Sequence, residues 1–230
     1  MGLVFDKLWV GDYDKNMKIG VFDSGIGGTT ILEAIQRRLP GVEYRYIADS
    51  ENCPYGEKPA EVLYEIVRGN VEKLRNWGAR IIVIACNTAT VKCIDRLRLD
   101  YPELKFVGTE PAVKMALTSG AKKILVLATP NTIESERLHS IAEQNASKGQ
   151  QVDFLACSGL AEVIEKNYEK NSNVIVEKLN ELLVYDDSYE VVVLGCTHYP
   201  LISDLIQVYY PNAKLVDGAD GVAKRVQSML

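Results

Sequence analysis

The sequence lacks several features that mark special classes of protein. No apolar stretch approaches the roughly 20 residues that a membrane span needs, and no G-x-x-x-x-G-K-[ST] phosphate loop occurs. The opening residues "MGLVFDKLWVGDYDKN" contain neither a basic n-region nor an apolar h-region, so we expect no secretion signal. A net charge of −5 argues against a nucleic acid or an anionic membrane surface as partner. We therefore expect a cytoplasmic globular protein with no nucleic-acid and no membrane partner.

Cysteine and histidine are also scarce. The chain has five cysteines, an odd number with no CxxC pair, which does not indicate a disulfide framework but fits reduced thiols in a cytosolic protein. It has only two histidines. Two cysteines with His198 are conceivable zinc ligands, but the close cysteine spacings of zinc sites are missing. We expect no metal site.

Short apolar runs alternate with longer amphipathic ones along the chain. Several of the runs show no polar alternation, which is typical of strands covered by helices on both faces. This alternation predicts an α/β fold with mainly parallel sheets. The predicted strands are 18–22, 43–48, 80–85, 104–108, 123–128, 152–157, 190–195 and 213–217.

Helices are predicted between these strands. One ends at Pro40, and a second ends at Gly78, a residue type that commonly terminates helices. A third is predicted to begin after Pro130, with Asn131 as its N-cap, and to continue through "NTIESERLHSIAEQNASKG".

The same plan occurs twice. "KIGVFDSG" and "KILVLATP" each combine a lysine, an apolar run and a polar turn, and each is followed at a similar distance by an apolar run that ends in a cysteine. We expect two similar, pseudo-twofold-related α/β halves with an active site in the cleft between them. The first half spans 17–108 and regains the segment from about 213 to 230, the second spans 109–212, and 1–16 form an extension of unknown role.

The two cysteine motifs are "ACNT", which contains Cys86, and "GCTH", which contains Cys196. Ligands of open parallel sheets bind outside the carboxyl ends of the strands, and a thiol at the start of the following helix has its pKa lowered by unpaired backbone N–H groups. A single free cysteine is most often a small buried hydrophobe, but two at matching strand ends favour a functional pair. Cys53, Cys93 and Cys157 lack this context.

Two equivalent thiols suit racemisation, because one group removes a proton from a carbon and the other returns a proton to the opposite face. Hydroxyl and amide groups at the strand ends can hold a substrate carboxylate: Ser24, Asn87, Thr88 and Thr197. In "CPYGEKP" the Tyr55 hydroxyl and the Gly56 N–H are further candidates. "FDSGIGG" matches a dinucleotide fingerprint poorly, because Thr30 replaces the third glycine.

"IGVFDSGIGG", "PYG", "ACNTAT", "GTEPA" and "LGCTHYPL", in this order, closely resemble the glutamate racemases of the cofactor-independent aspartate/glutamate racemase superfamily. The resemblance runs from about Ile19 to about Val226. It favours glutamate because aspartate racemases typically carry Glu where this chain has His198.

The resemblance implies a set of residue roles. Cys86 and Cys196 are the implied catalytic acid/bases, assisted by Asp23 and by His198 respectively. A further carboxylate near the second thiol is placed at Glu165, with Glu162 as the alternative, since "ACSGLAEVIEKN" departs from the family's usual wording. The implied substrate-binding residues are Asp23, Ser24, Tyr55, Gly56, Asn87, Thr88, Thr197 and His198.

We thus expect an isomerase that interconverts L- and D-glutamate without a cofactor and supplies D-glutamate for peptidoglycan. The expected partners are the small-molecule substrate glutamate and a second copy of the chain in a homodimer. Three alternatives stay open: an aspartate or hydantoin racemase, a non-catalytic module that binds an acidic amino acid, and a thiol redox protein with a Cys86–Cys196 disulfide. A pyridoxal cofactor on a lysine is not excluded by sequence.

Overall fold

The computed structural model describes residues 17–230, so the expected N-terminal extension, 1–16, lies outside the described part. Within 17–230, no helix combines the length and apolarity required to cross a membrane. The described chain forms two four-stranded parallel sheets with helices around each, and the expected α/β class is confirmed.

The first sheet has the strand order β2-β1-β3-β4. Its strands are β1 (Lys18–Asp23), β2 (Glu43–Ala48), β3 (Ile81–Ile84) and β4 (Lys105–Gly108). The helices that follow them are α1 (Thr29–Arg38), α2 (Ala60–Asn76), α3 (Asn87–Asp100) and α4 (Val113–Thr118).

The second sheet repeats this order as β6-β5-β7-β8. Its strands are β5 (Lys123–Ala128), β6 (Gln151–Ala156), β7 (Val191–Leu194) and β8 (Lys214–Val216). The remaining helices are α5 (Pro130–Ile133), α6 (Glu136–Asn145), α7 (Leu160–Asn167), α8 (Ser172–Leu182), α9 (Ser203–Gln207) and α10 (Ala219–Gln227).

Burial explains why the central strands are uninterrupted apolar runs. In β1, Val21 packs on one face of the sheet with residues of α1 and α10, whereas Phe22 packs on the other face with residues of α2 and α3. All four residues of β3 and of β7 are buried, while the edge strands β2 and β6 are partly exposed. Strands covered on both faces need no polar alternation, as the sequence indicated.

Two predicted elements differ from the structure. The single helix expected after Pro130 is two helices, α5 and α6. Thr129, not Asn131, is the residue before α5, and Ser135 caps α6 by accepting a hydrogen bond from the Leu138 N–H. Asn131 instead donates to the Tyr55 and Lys58 carbonyls in the other half. A long-range contact has therefore replaced the predicted local cap.

The C-terminal segment also differs from expectation. We expected the chain to return to the first half from about 213. Strand β8 (Lys214–Val216) instead pairs with β7 in the second sheet, and only α10 packs against α1 of the first half. The chain thus crosses between halves twice, once between β4 and β5 and once between β8 and α10, and the domain boundary at 108 stays a prediction.

Candidate active site

The two thiols occupy equivalent positions in the two sheets. Cys86 is the second residue after β3 and directly precedes α3, and Cys196 is the second residue after β7. Because β3 and β7 hold the same place in sheets of the same strand order, both cysteines lie at matching carboxyl ends. Both side chains are buried, with 5% and 6% of their surface exposed.

Cys86 is surrounded by groups with opposite effects on its ionisation. Burial raises the pKa of its thiol, and the negative charge of Asp23 raises it further. The Ala89 and Thr88 N–H groups at the start of α3 and the Ser24 hydroxyl stabilise the thiolate, and the resulting pKa is about 12. The protein by itself therefore holds Cys86 as a neutral thiol at neutral pH.

Cys196 lies in the same cleft as Cys86. Burial raises the pKa of Cys196 well above its usual range, the His198 N–H opposes this effect, and the charge of an ionised Cys86 raises the pKa again. Two negative charges repel each other more strongly in a buried site than in water. An ionised Cys86 therefore makes ionisation of Cys196 less favourable.

The Glu165 carboxylate contacts the His198 imidazole, which in turn contacts the Cys196 thiol. His198 Nδ1 lies 3.8 Å from Cys196 Sγ, and His198 Nε2 lies 2.8 Å from Glu165 Oε2. The His198 side chain is fully buried. Glu162, the alternative placement, instead pairs with Lys166, its neighbour one helical turn along α7. The geometry places Glu165, and not Glu162, beside His198.

Glu165 also connects the two halves of the protein. It accepts hydrogen bonds from the Ile26 N–H at 2.8 Å and from the Ser50 hydroxyl at 2.5 Å, both in the first half. Burial alone raises the pKa of Glu165, but the bonds from His198, Ser50 and Ile26 outweigh it and hold the pKa at about 2. Glu165 is therefore a carboxylate at neutral pH.

Asp23, the last residue of β1, lies next to Cys86 and is fully buried. It accepts hydrogen bonds from the Gly28 N–H at 2.9 Å and the Gly25 N–H at 3.3 Å, just before α1, and from the Thr197 hydroxyl at 3.2 Å. Burial raises the pKa of Asp23, and the positive charge of a protonated His198 opposes this effect. Burial thus makes Asp23 easier to protonate than an exposed aspartate.

Three buried threonine hydroxyls from the two halves meet at one point. Thr88 Oγ1 lies 2.9 Å from Thr129 Oγ1 and 3.5 Å from Thr132 Oγ1, and Thr129 and Thr132 are 3.1 Å apart. Thr88 was a candidate from sequence, whereas Thr132 was missed. The signal that could have found it is the repeat, because the turn after β5 corresponds to the turn after β1 that carries Asp23 and Ser24.

Two buried polar atoms near Cys196 are unpartnered within 17–230: Asn87 Oδ1 and Thr109 Oγ1. Both residues line a small cavity with Cys196 and Thr197. A buried carbonyl oxygen without a donor costs free energy unless a ligand or water supplies one. Asn87 is therefore ready to accept a hydrogen bond from a cationic ligand group. Thr109, in "GTEPA", received no role from the sequence.

The "CPYG" turn contacts both halves of the protein. The Tyr55 hydroxyl donates to Asp49 Oδ2 at 2.5 Å and accepts a hydrogen bond from the Asn70 amide at 3.3 Å. Gly56 lies against Thr129, and a Cβ at Gly56 would be 2.8 Å from Thr129 Cβ. The Gly56 carbonyl accepts a hydrogen bond from the Asn131 N–H at 3.1 Å, and the substrate-binding roles of Tyr55 and Gly56 stay predictions.

The arrangement defines a class of protein before any comparison is made. Two α/β halves of one plan bring two thiols into a buried cleft, each beside a carboxyl or imidazole group that can exchange protons. Such an arrangement suits acid–base chemistry that uses a thiol from each half.

Comparison with known proteins identifies the family to which the chain belongs. Residues 28–226 match the family model for Asp/Glu/Hydantoin racemase, and the chain belongs to this family of isomerases. It is 37% identical over 219 residues to the glutamate racemase of a Sulfurovum species. This match covers 93% of this chain and 82% of that protein.

Solved structures show the same fold. The glutamate racemase of Escherichia coli, in complex with L-glutamate and the activator UDP-MurNAc-ala, superposes with a TM-score of 0.82 at 28% identity over 93% of this chain and 82% of that one. That of Francisella tularensis, in complex with D-glutamate, gives 0.76 at 27% identity over 94% and 82%. Both of these relatives have the two-half architecture expected from the repeat in the sequence.

Proposed function

We propose that this protein is a cofactor-independent glutamate racemase in which Cys86 and Cys196 act as the two acid/bases. The observation that carries the proposal is the pair of buried thiols at equivalent strand ends of the two halves, Cys86 after β3 and Cys196 after β7. A racemase with two bases needs such a pair, because one thiolate removes the α-proton while one thiol delivers a proton to the opposite face.

In the forward direction a thiolate takes the α-proton of one enantiomer, and the second thiol protonates the resulting carbanion from the other side. The C–H electron pair remains on the α-carbon until the new C–H bond forms. The site then holds the opposite pattern of one thiol and one thiolate, which is the starting state for the other enantiomer. Between turnovers, Asp23 exchanges protons with Cys86, and the Glu165–His198 pair exchanges protons with Cys196.

The raised thiol pKa values indicate how the reaction is started. In the protein by itself both thiols are neutral, since burial disfavours the thiolate. The substrate ammonium supplies a positive charge within the same buried cleft, and an opposite charge lowers the pKa of a thiol. Substrate binding therefore activates the base.

The polar groups of the cleft suit both ends of glutamate. Asn87 Oδ1, a buried acceptor without a donor among the described residues, together with Asp23 suits the ammonium, and the Ser24 and Thr197 hydroxyls suit the α-carboxylate. The hydroxyls of Thr88, Thr129 and Thr132 suit the side-chain carboxylate, because three donors can satisfy a carboxylate that is removed from water. The relatives with bound L-glutamate and D-glutamate support this choice of substrate.

Access to the site requires the halves to separate. Asp23, Cys86, Cys196 and His198 are all buried, and bonds between the halves, such as those of Glu165 with Ile26 and Ser50, close the cleft. The cleft must open to admit an amino acid and close to exclude water from the carbanion.

The cellular role proposed with this activity is the supply of D-glutamate for peptidoglycan, in the cytoplasm, by a homodimer. The similarity to bacterial glutamate racemases supports the role. Gel filtration with light scattering tests the homodimer, and a mass of one chain at micromolar concentration excludes it.

The function itself is tested by following each enantiomer of glutamate and of aspartate, and a hydantoin, by circular dichroism with metal-stripped protein and no added cofactor. In D₂O, racemisation of glutamate must be accompanied by loss of the α-proton from both enantiomers. Turnover of aspartate or hydantoin but not glutamate assigns a different substrate within the family. Tight glutamate binding without α-proton exchange indicates a binding protein instead.

A further inference from the structure

A single group of three side chains of the metal-ligand type occurs among residues 17–230, and one member is a cysteine that the proposed mechanism does not use. Cys53, Glu165 and His198 each offer one ligand atom, and these atoms all lie within 4.8 Å of one another. Cys53 comes from the turn after β2 in the first half, and the other two come from the second half. The group therefore bridges the two halves of the protein.

We propose that Cys53, Glu165 and His198 form an inhibitory binding site for a single zinc-class divalent cation. Thiolate, imidazole and carboxylate are the three protein ligands that Zn²⁺ takes, at about 2.3, 2.0–2.1 and 2.0–2.2 Å. Bonds of this length bring tetrahedral ligand atoms to roughly 3.5 Å from one another. Movements of about 1 Å from the present separations complete the site, with a water molecule as fourth ligand.

Charge balance and hydrogen bonding favour a cation here. The Cys53 thiolate and the Glu165 carboxylate together neutralise a divalent ion, and the Cys53 thiol proton leaves to solvent on binding. Glu165 is held by the Ile26 N–H and the Ser50 hydroxyl, and His198 is fully buried. Such contacts orient metal ligands and raise affinity.

Occupation of this site would stop racemisation for two reasons, and this part of the inference rests on the proposed function. The cation would take His198 Nε2, which at present lies 2.8 Å from Glu165, and so remove the proton path to Cys196. It would also link Cys53 of one half to α7 of the other, and thus hold the cleft closed. The expected result is reversible inhibition that a chelator relieves.

The binding test uses the full chain, stripped of metal, and inorganic Zn²⁺ in an isothermal titration, with Co²⁺ as a spectroscopic probe. We expect one ion per chain and a thiolate-to-cobalt charge-transfer band. Cys53→Ser should lose the band and weaken binding by at least about tenfold. The matched control is Cys157→Ser, which removes a buried thiol outside the group and should leave both readouts unchanged.

Two outcomes of the titration would contradict the proposed Zn²⁺ site. The first is that the unmodified chain binds no stoichiometric Zn²⁺. The second is that Cys53→Ser keeps both the Zn²⁺ affinity and the cobalt band, since the ion would then be bound by Cys86 and Cys196 instead. Neither outcome depends on whether the chain racemises glutamate, so failure of the site and failure of the proposed function are distinguishable.

The activity test compares Zn²⁺ inhibition of glutamate racemisation in the same three proteins. Cys53→Ser should keep its rate in the absence of metal and require at least about tenfold more Zn²⁺ for half inhibition, while Cys157→Ser should behave as the unmodified chain. Zn²⁺ that binds through Cys53 but leaves racemisation unchanged overturns the inhibitory role.

Discussion

Thr197 Oγ1 lies 3.2 Å from both carboxylate oxygens of Asp23, and this contact joins the residues after β7 to the end of β1. Asp23 is fully buried, so each donor that reaches it offsets part of the cost of removing a carboxylate from water. The Thr197 hydroxyl thus connects the two halves within the site. Because Thr197 directly follows Cys196, this hydrogen bond also fixes the position of Asp23 relative to Cys196.

Replacing Thr197 by valine should weaken both the fold and the activity. A hydrogen bond to a charged group contributes about 1.5–3 kcal/mol, so urea unfolding should show Thr197→Val less stable by an amount in this range. The kcat/KM for glutamate should fall as well. Thr197→Ser keeps the hydroxyl and should remain close to the unmodified protein. Equal behaviour of the two variants would mean that the hydroxyl contributes nothing.

Loss of either thiol should abolish racemisation. Cys86→Ser and Cys196→Ser each remove one acid/base, for which a loss of about 10²–10⁴ in rate is expected. Each variant retains one base, so each should eliminate a leaving group from only one enantiomer of a suitable glutamate analogue, and the two variants should choose opposite enantiomers. Cys93→Ser, a buried thiol of α3 outside the cleft, is the control. The same enantiomer preference in both variants would contradict opposed thiols.

Glu165 should make a pH-dependent contribution to stability. Its folded-state pKa of about 2 lies below the usual 4.5, so its contribution is fully present above pH 4.5 and is lost as the pH falls from there toward 2. Urea unfolding should therefore show Glu165→Gln clearly less stable at pH 6, with a difference that narrows at pH 4 and again at pH 3.

The control for this experiment is Glu162→Gln. Glu162 pairs with Lys166 on the outer side of α7, and an exposed pair of this kind contributes about 0–1 kcal/mol. A stability difference for Glu165→Gln that is the same at pH 6 and pH 3 would show that the carboxylate charge is not responsible.

The threonine cluster should determine the affinity for the substrate side chain. Thr132→Val removes one of the three hydroxyls while preserving shape. A hydrogen bond to a carboxylate contributes about 1.5–3 kcal/mol, so its loss should raise KM by about tenfold or more. Thr132→Ser should keep KM within about twofold. Initial rates over a range of glutamate concentrations measure both. A fall in kcat with KM unchanged would place Thr132 outside the carboxylate site.

Two glycines should respond in opposite ways to alanine. A Cβ at Gly27 would lie 2.6 Å from the His198 backbone nitrogen, so Gly27→Ala should force the halves apart and lower both the melting temperature and the activity. A Cβ at Gly69, on the exposed side of α2, would meet no atom of residues 17–230 within 4 Å outside its own helical turn. Gly69→Ala should stabilise the protein by about 0.5–1 kcal/mol and leave the activity unchanged. Thermal unfolding with a rate assay decides both cases.

Much of the fold was accessible from the sequence because it depends on local patterns. All eight predicted strands occur within two residues of their predicted ends, since an apolar run between polar turns is sufficient to mark a strand that is covered on both faces. The repeat also indicated two similar sheets. Two expectations differ from the structure, the N-cap at Asn131 and the half to which β8 belongs, because contacts with distant parts of the chain determine both.

The site was accessible only in part. Strand ends marked Asp23, Cys86 and Cys196, and the resemblance added His198 and Glu165. No spacing rule could have shown that Glu165 receives the Ile26 N–H from 139 positions away, or that the Tyr55 hydroxyl is engaged by Asp49. These contacts depend on how the two halves face each other.

By itself, the sequence determined the α/β class, the duplicated plan and the two thiols at strand ends. These features depend on hydrophobic periodicity and turn chemistry, which involve only residues close together in the sequence. Only the tertiary structure decided which carboxylate reaches which thiol, that Thr132 joins Thr88, and that Cys53 lies beside His198. The physical reason is that the cleft is formed by two halves packing together, and the distances across it are set by that packing rather than by any separation along the chain.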